Sequence, residues 1–93
     1  MAIKQTELGM MVNLEDFQYA SFERKCDIVT SYSNYLMMRR LADAKIYLYQ
    51  ASGFFIEVYY SPKYKKVLMI NAFDELEGLE PYLSDISLAD LKF

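Results

Sequence analysis

The sequence predicts a small α+β domain, with an N-terminal helix, an antiparallel meander of three or four strands and short C-terminal helices (α-β(3-4)-α). Two observations lead to this class. Apolar side chains recur at helical spacing within residues 13–34, whereas residues 45–60 contain two alternating segments separated by a short loop with a glycine. Helices segregated from an antiparallel sheet define the α+β class. A length of 93 residues suits one domain, so we expect a single domain over 1–93, with 1–12 as a loose N-terminal arm.

The predicted N-terminal helix begins at Asn13, whose side chain can cap the first turn. Glu15 and Asp16 follow where the helix dipole favours acidic side chains. Ser21 offers a competing start. Asn34 is the expected stop, because asparagine tolerates the left-handed conformation of a C-terminal cap.

The strands are predicted from alternation. Residues 35–40 fit either a continued helix or a first strand, and a stop before them favours the strand. The clearest strands, Lys45 to Gln50 and Phe54 to Tyr60, flank Ala51-Ser52-Gly53. A three-residue loop with a left-handed Gly53 pairs Gln50 with Phe54. Ile46 and Leu48 then share one face with Phe54, Ile56, Val58 and Tyr60, and Tyr47 and Tyr49 share the other with Phe55, Glu57 and Tyr59. A two-residue loop would exchange these partners.

The C-terminal third is predicted to add one strand and short helices. Residues 61–65 form a turn and Lys66 to Phe73 the next strand. Asp74 can cap a short helix through Leu79, and Pro81 either ends that helix or starts another through Ile86. One further turn is expected over 87–91. The predicted core holds Phe22, Val29, Ile46, Leu48, Phe54, Ile56, Val58, Leu68, Ile70 and Leu83.

Composition excludes several kinds of chemistry. The net charge is −3 at pH 7, whereas a nucleic-acid binder needs a basic surface that displaces counterions from phosphates. The chain has no histidine and one cysteine, Cys26, which excludes Ser-His-Asp catalysis and the usual zinc and non-haem iron sites. Its three glycines lie far apart and form no phosphate-binding loop. We therefore expect no metal, no cofactor and no nucleic-acid partner, and we interpret Cys26 as a small core residue.

Cysteine usage and hydropathy also predict the compartment. A single cysteine allows no intramolecular disulfide, and the first residues lack the basic start and apolar core of a signal peptide. No apolar run approaches the ~20 residues of a membrane span. We expect a cytoplasmic protein with no membrane partner.

Glu57 is the one charged residue inside the apolar strand from Phe54 to Tyr60. Beside tyrosines, its carboxylate could act as a proton carrier. The interpretation that we favour is structural, with Glu57 hydrogen-bonded to a tyrosine hydroxyl or paired across strands, because no second acid or nucleophile is identifiable.

Two clusters of basic residues are further candidates for a site. The lysines within 63–66 could dock an anionic group, and the favoured interpretation is a solvated turn. Arg39 and Arg40 could grip a phosphate or carboxylate, and exposed charges at a strand end are the commoner case.

An aromatic sheet face supplies the functional hypothesis. The candidate ligand or interface residues are Tyr47, Tyr49, Phe55, Glu57 and Tyr59. Antiparallel sheets usually keep one face in water, so apolar side chains on both faces predict a covering partner. We expect a small non-enzymatic interaction protein that self-associates as a homodimer through this face, or binds a protein partner there. The alternative is a small-molecule-binding protein or weak enzyme that uses Glu57 and neighbouring tyrosines.

Two resemblances accompany these predictions. The order helix, three strands, helix resembles the double-stranded-RNA-binding domain, but here the last helix is acidic and lacks that family's lysine cluster. The segment from Leu48-Tyr49 through Phe54-Phe55-Ile56-Glu57-Val58-Tyr59-Tyr60, with Tyr82-Leu83 and Ile86, resembles a run in short uncharacterised bacterial α+β proteins. The second resemblance covers the C-terminal half and implies a compact stand-alone bacterial protein, with no activity to carry over.

Overall fold

The computed structural model describes residues 12–83 and has the α+β architecture that the sequence predicts. The elements in chain order are the helices α1 (Leu14–Tyr19) and α2 (Phe22–Tyr32), the strands β1 (Asn34–Leu41), β2 (Ala44–Ala51), β3 (Phe54–Ser61) and β4 (Lys66–Phe73), and the 3-10 helix η1 (Leu76–Tyr82). The strands form one antiparallel sheet in the order β1-β2-β3-β4. The predicted arm, apart from Val12, and the predicted turn over 87–91 lie outside the described residues.

Two capped helices stand where the sequence predicts one. The Asn13 side chain accepts a hydrogen bond from the Asp16 N–H over 2.8 Å, and the Ser21 hydroxyl accepts one from the Arg24 N–H over 3.1 Å. Ala20 between them is extended, with φ −70° and ψ 155°. Both candidate starts are therefore used, and the second cap breaks the predicted single helix into α1 and α2.

The end of α2 differs from the prediction, whereas the strand after it is confirmed. Ser33 caps α2 in an extended conformation with φ −139°. Asn34 is the first residue of β1 and is not left-handed, so its predicted role as a left-handed stop is wrong. Residues 35–40 are strand.

The β2–β3 hairpin shows that the predicted register is wrong by one residue. Its loop is the two-residue Ser52-Gly53, so Ala51 pairs with Phe54 and Gln50 with Phe55. Gly53 is left-handed, with φ 87°, but it stands second in the shorter loop. One step of register moves every β2 side chain to the other set of β3 partners.

With the corrected register, different elements cover the two faces of the sheet. Paired residues of neighbouring strands share a face, and Tyr47 and Tyr49 share the helix-side face with Phe54, Ile56, Val58 and Tyr60. Phe17, Ile28 and Val29 of the two helices pack on that face. The other, η1-side face carries Ile46, Leu48, Phe55, Glu57 and Tyr59. Leu79 and Tyr82 of η1 pack on it against Leu48 and Phe55.

The predicted core is confirmed in part. Five predicted residues are buried: Val29, Ile46, Leu48, Phe54 and Ile56. Val58 and Ile70 are half-buried, and Cys26 is a half-buried free thiol. Phe22, Leu68 and Leu83 are exposed, and their prediction as core residues is wrong. Phe17, Ile28, Phe55, Leu79 and Tyr82 are buried instead.

The element after β4 is a 3-10 helix, whose start differs from the prediction. Its N-cap is Glu75, no side chain caps it, and the predicted cap at Asp74 is wrong. Pro81 lies inside η1 near its end. Gly78 permits a close approach to the sheet, because an added Cβ would lie 2.3 Å from the Phe73 ring.

Candidate functional site

Glu57 is a buried carboxylate on the η1-side face, with 4% of its surface exposed. The Tyr82 hydroxyl donates a hydrogen bond to Oε2 over 2.6 Å, and the Asn71 amide donates one to Oε1 over 3.0 Å. Arg39 Nη2 lies 3.4 Å from Oε2 and forms an ion pair with it. A buried charge is tolerated when it is paired and hydrogen-bonded, as it is here.

Four elements contribute to this cluster, which we call the Glu57 network. Asn71 of β4 is the direct cross-strand partner of Glu57 on β3. Arg39 of β1 pairs with a β2 residue, so its long side chain reaches across one strand to the carboxylate. Tyr82 comes from the last turn of η1. The Glu57 network therefore links η1 to three strands of the sheet, β1, β3 and β4.

Arg39 and Tyr82 also interact with each other. The Arg39 guanidinium carbon lies 5.1 Å from the centre of the Tyr82 ring, within cation–π distance. Burial lowers the pKa of Arg39, but contacts with Tyr82 and Glu57 outweigh it, and the pKa lies above its ordinary value. Burial raises the pKa of Tyr82, and the hydrogen bond to Glu57 raises it further. Tyr82 thus remains a protonated donor.

This geometry suits anchoring better than proton transfer. Both carboxylate oxygens of Glu57 already accept hydrogen bonds, and the residue is almost fully buried. A general base must reach the proton that it abstracts, directly or through one water. The favoured sequence interpretation is a carboxylate hydrogen-bonded to a tyrosine hydroxyl or paired across strands. The structure has both contacts, with Tyr82 as the tyrosine and Asn71 as the cross-strand partner.

The five predicted site residues do not form one surface. The η1-side face carries Phe55, Glu57 and Tyr59, whereas the helix-side face carries Tyr47 and Tyr49. Phe55 is buried and stacks on Phe73, with 5.5 Å between ring centres. The single aromatic face that the sequence analysis predicts therefore does not exist, because it depended on the wrong register.

A smaller aromatic group does form on the helix-side face, and we call it the tyrosine surface. It consists of Tyr35, Tyr47 and Tyr49. The Tyr35 ring centre lies 5.6 Å from that of Tyr49 and 6.3 Å from that of Tyr47. Burial raises the pKa of Tyr49, and the two neighbouring tyrosines raise it further. Tyr35 is 55% exposed and lies on β1, an edge strand of the described sheet.

Sequence reasoning did not identify three of these residues. Asn71 had a usable signal, since it is the one polar side chain after Lys66 in the strand from Lys66 to Phe73, and a correct register would have set it beside Glu57. Tyr82 had none, because its position depends on how η1 folds back over the sheet. Tyr35 lay in the segment that the sequence left open between helix and strand.

Within residues 12–83, no group of three or more Cys, Asp or Glu side chains is arranged to hold a metal ion. Among the helices of this part of the chain, none is both long and apolar enough to cross a membrane. No protein family model, curated protein or solved structure matches the sequence or the fold.

Proposed function

We propose that this chain is a non-enzymatic interaction protein that self-associates as a homodimer through the tyrosine surface at the β1 edge. The observation that carries the proposal is Tyr35, a large aromatic side chain that is 55% exposed on an edge strand, with its ring tilted against that of Tyr47 and edge-to-face with that of Tyr49. Tyrosine is enriched in interface cores, because its ring can be buried while its hydroxyl keeps a partner.

The pattern of side chains on β1 supports a second copy as the occupant. Tyr35 pairs with Tyr49, and Arg40 pairs with Lys45, two β2 residues four apart and hence on one face. A bulge between Tyr35 and Met37 inserts one residue in β1. Tyr35 and Arg40, five residues apart, therefore lie on the same helix-side face, with an aromatic ring near one end of the strand and a cation near the other.

A two-fold axis beside β1 makes this pattern self-complementary. When two β1 strands pair antiparallel, the start of each strand lies beside the end of the other, so Tyr35 of each copy lies beside Arg40 of the other. Each copy then contributes one cation–π contact, worth about 0.5–1 kcal/mol at an exposed site. Arg40 and Lys45 are like charges opposite each other within one copy, and a partner's ring beside Arg40 offsets that repulsion.

The geometry gives less support to the small-molecule or weak-enzyme alternative. That alternative needs Glu57 and neighbouring tyrosines to face one cavity. Tyr47 and Tyr49 lie on the opposite face of the sheet from Glu57, whose oxygens are engaged by Tyr82 and Asn71.

The test is the solution mass across a dilution series, measured by light scattering. We expect wild type to have twice the 10.9 kDa chain mass at micromolar concentration, and Tyr35→Asp to have the mass of one chain. Tyr19→Asp is the matched control, since Tyr19 is 84% exposed and lies on α1, outside the tyrosine surface. Circular dichroism would verify that both variants remain folded.

Arg40→Gln tests the choice of a second copy as partner. Loss of two cation–π contacts per dimer predicts roughly a tenfold weaker dimer. A wild-type monomer at every concentration would overturn the proposal, as would a dimer that Tyr35→Asp leaves intact.

A further inference from the structure

A shallow apolar pocket lies at the end of the sheet where the β1–β2 and β3–β4 turns meet. It encloses about 280 Å³ and is lined by residues of both turns and of β4. Three of its large side chains are more than half exposed: Leu41 (52%), Tyr64 (65%) and Leu68 (51%). Exposed apolar side chains that converge on one concavity are typical of an interaction site, whereas scattered ones need no explanation.

The turn that carries Tyr64 is held in place. Ser61 is 6% exposed, and its hydroxyl accepts a hydrogen bond from the Tyr64 N–H over 3.1 Å. Pro62 fixes one backbone angle of the same turn. Tyr64 is therefore presented to solvent by an ordered turn, which lowers the entropy that a partner must overcome.

Three lysines lie next to the lining residue Tyr64 along the chain. Lys63 and Lys65 flank Tyr64 in the turn, Lys66 is the first residue of β4, and all three are exposed. The Lys63 ammonium lies 5.4 Å from the centre of the Tyr64 ring. Asp43 is the one charged residue among those that line the pocket, and the three lysines lie outside that lining, on either side of Tyr64 along the chain.

We propose that this pocket binds an acidic peptide segment of a partner protein, with one apolar side chain inserted between Leu41, Tyr64 and Leu68 and Asp or Glu residues beside the lysines. The volume suits a single side-chain anchor. The lysines supply complementary charge at the rim, where such charge sets specificity and association rate. The net charge of −3 disfavours polyanionic surfaces such as nucleic acid or membrane, which extend beyond the local cations.

The experiment is a selection of phage-displayed random heptapeptides against the full-length protein, followed by fluorescence-anisotropy titration of the most enriched peptide. We expect enriched peptides to be acidic with one large apolar residue. Leu68→Ser should abolish their binding, and Lys63→Gln/Lys65→Gln/Lys66→Gln together should weaken it roughly three- to tenfold. Leu76→Ser is the matched control, because Leu76 is also 51% exposed but lies on η1.

The outcomes separate this inference from the proposed homodimer. Binding that survives Tyr35→Asp and is lost in Leu68→Ser supports a distinct peptide site. Enrichment of basic peptides, no enrichment, or binding that Leu68→Ser leaves unchanged overturns the inference. Binding of anionic vesicles or single-stranded DNA in place of acidic peptides overturns it as well. None of these results bears on the mass of the protein in solution.

Discussion

The two faces of the sheet are closed by different chemistry. On the helix-side face, Phe17 and Val29 pack on Phe54, and the side chains of residues 12–83 that are buried there are all apolar. On the η1-side face, apolar contacts are joined by the buried Glu57 network, in which a carboxylate accepts a hydrogen bond from Tyr82. Burial of apolar surface therefore stabilises the described helix-side face, whereas the η1-side face combines apolar burial with hydrogen bonds.

This difference follows from the sizes of the covering elements. The helix-side cover comprises two helices, of 6 and 11 residues, whereas η1 has only 7 residues. The stabilisation from apolar burial is non-directional and scales with the buried area. A short element therefore gains little stabilisation from it and can pack on the sheet in several orientations. Hydrogen bonds to a fixed carboxylate select one of these orientations. We therefore expect truncation of apolar side chains to lower the unfolding free energy most on the helix-side face, and substitution of polar side chains to lower it most on the η1-side face.

The largest effect should come from Phe17→Ala on the helix-side face. Phe17 is fully buried, with its ring centre 5.6 Å from that of Phe54. Removing a buried ring leaves a cavity and costs about 3–5 kcal/mol of unfolding free energy. Urea denaturation followed by circular dichroism measures this cost. A loss below about 1 kcal/mol would show that α1 contributes little to the fold.

The next largest effect should come from Glu57→Leu on the η1-side face. Leucine keeps most of the volume but leaves Arg39 without its ion pair and Tyr82 without its acceptor, at a cost of about 2–4 kcal/mol. Glu57→Gln is the matched control, since it keeps an acceptor oxygen and should lose less. Equal stability of the leucine variant and wild type in urea would mean that the network adds nothing net.

Tyr82→Phe should lower the unfolding free energy by about 1.5–2.5 kcal/mol at neutral pH, because it removes one hydrogen bond to a buried carboxylate and keeps the ring. The same urea titration measures it. Tyr59→Phe, on the same face but half-buried, serves as the control and should change stability less.

The pH dependence of stability provides a second readout for Tyr82. Its pKa is raised in the folded state, so its contribution is fully present below the ordinary tyrosine pKa of about 10 and is lost as the pH rises above that value. The unfolding free energy of wild type should therefore fall more steeply above pH ~10 than that of Tyr82→Phe. Parallel curves would contradict this assignment. Tyr49, whose pKa is also raised, is present in both wild type and Tyr82→Phe, so it does not contribute to the difference between the two curves.

Gly78→Ala should have the smallest effect, about 1–2 kcal/mol, because the new methyl would collide with the Phe73 ring and push η1 from the sheet. Gly53→Ala is the contrasting control: nothing lies within 4 Å of its Cβ position, so its cost comes from the left-handed backbone alone. Near-ultraviolet circular dichroism should change for Gly78→Ala and not for Gly53→Ala.

Local signals in the sequence were sufficient to predict the helices and strands. They were insufficient to predict which side chains share a face of the sheet. Alternation placed β2 and β3 almost to the residue, the turn over 61–65 placed the start of β4, and the side-chain caps at Asn13 and Ser21 marked both helix starts. The Ala51-Ser52-Gly53 stretch fits either a two- or a three-residue loop, because a left-handed glycine serves in both. Since both faces are covered, apolar side chains occur on each, and the pattern could not choose the register.

The candidate site depended on that choice. Glu57 was recognisable from its position in an apolar strand, but its partners come from β1, β4 and η1, separated from it by 14 to 25 positions. Nothing local encodes the return of Tyr82 over the sheet. The apolar character of both faces, which predicted a covering partner, is explained on the η1 side by the chain's own 3-10 helix.

The most direct test of the account is a double-mutant cycle between Glu57→Leu and Tyr82→Phe, measured as unfolding free energies in urea. If the carboxylate anchors η1 through this hydroxyl, the two losses should overlap by about 1–2 kcal/mol. Losses that add within about 0.3–0.5 kcal/mol would show that the two residues act independently and would contradict the account.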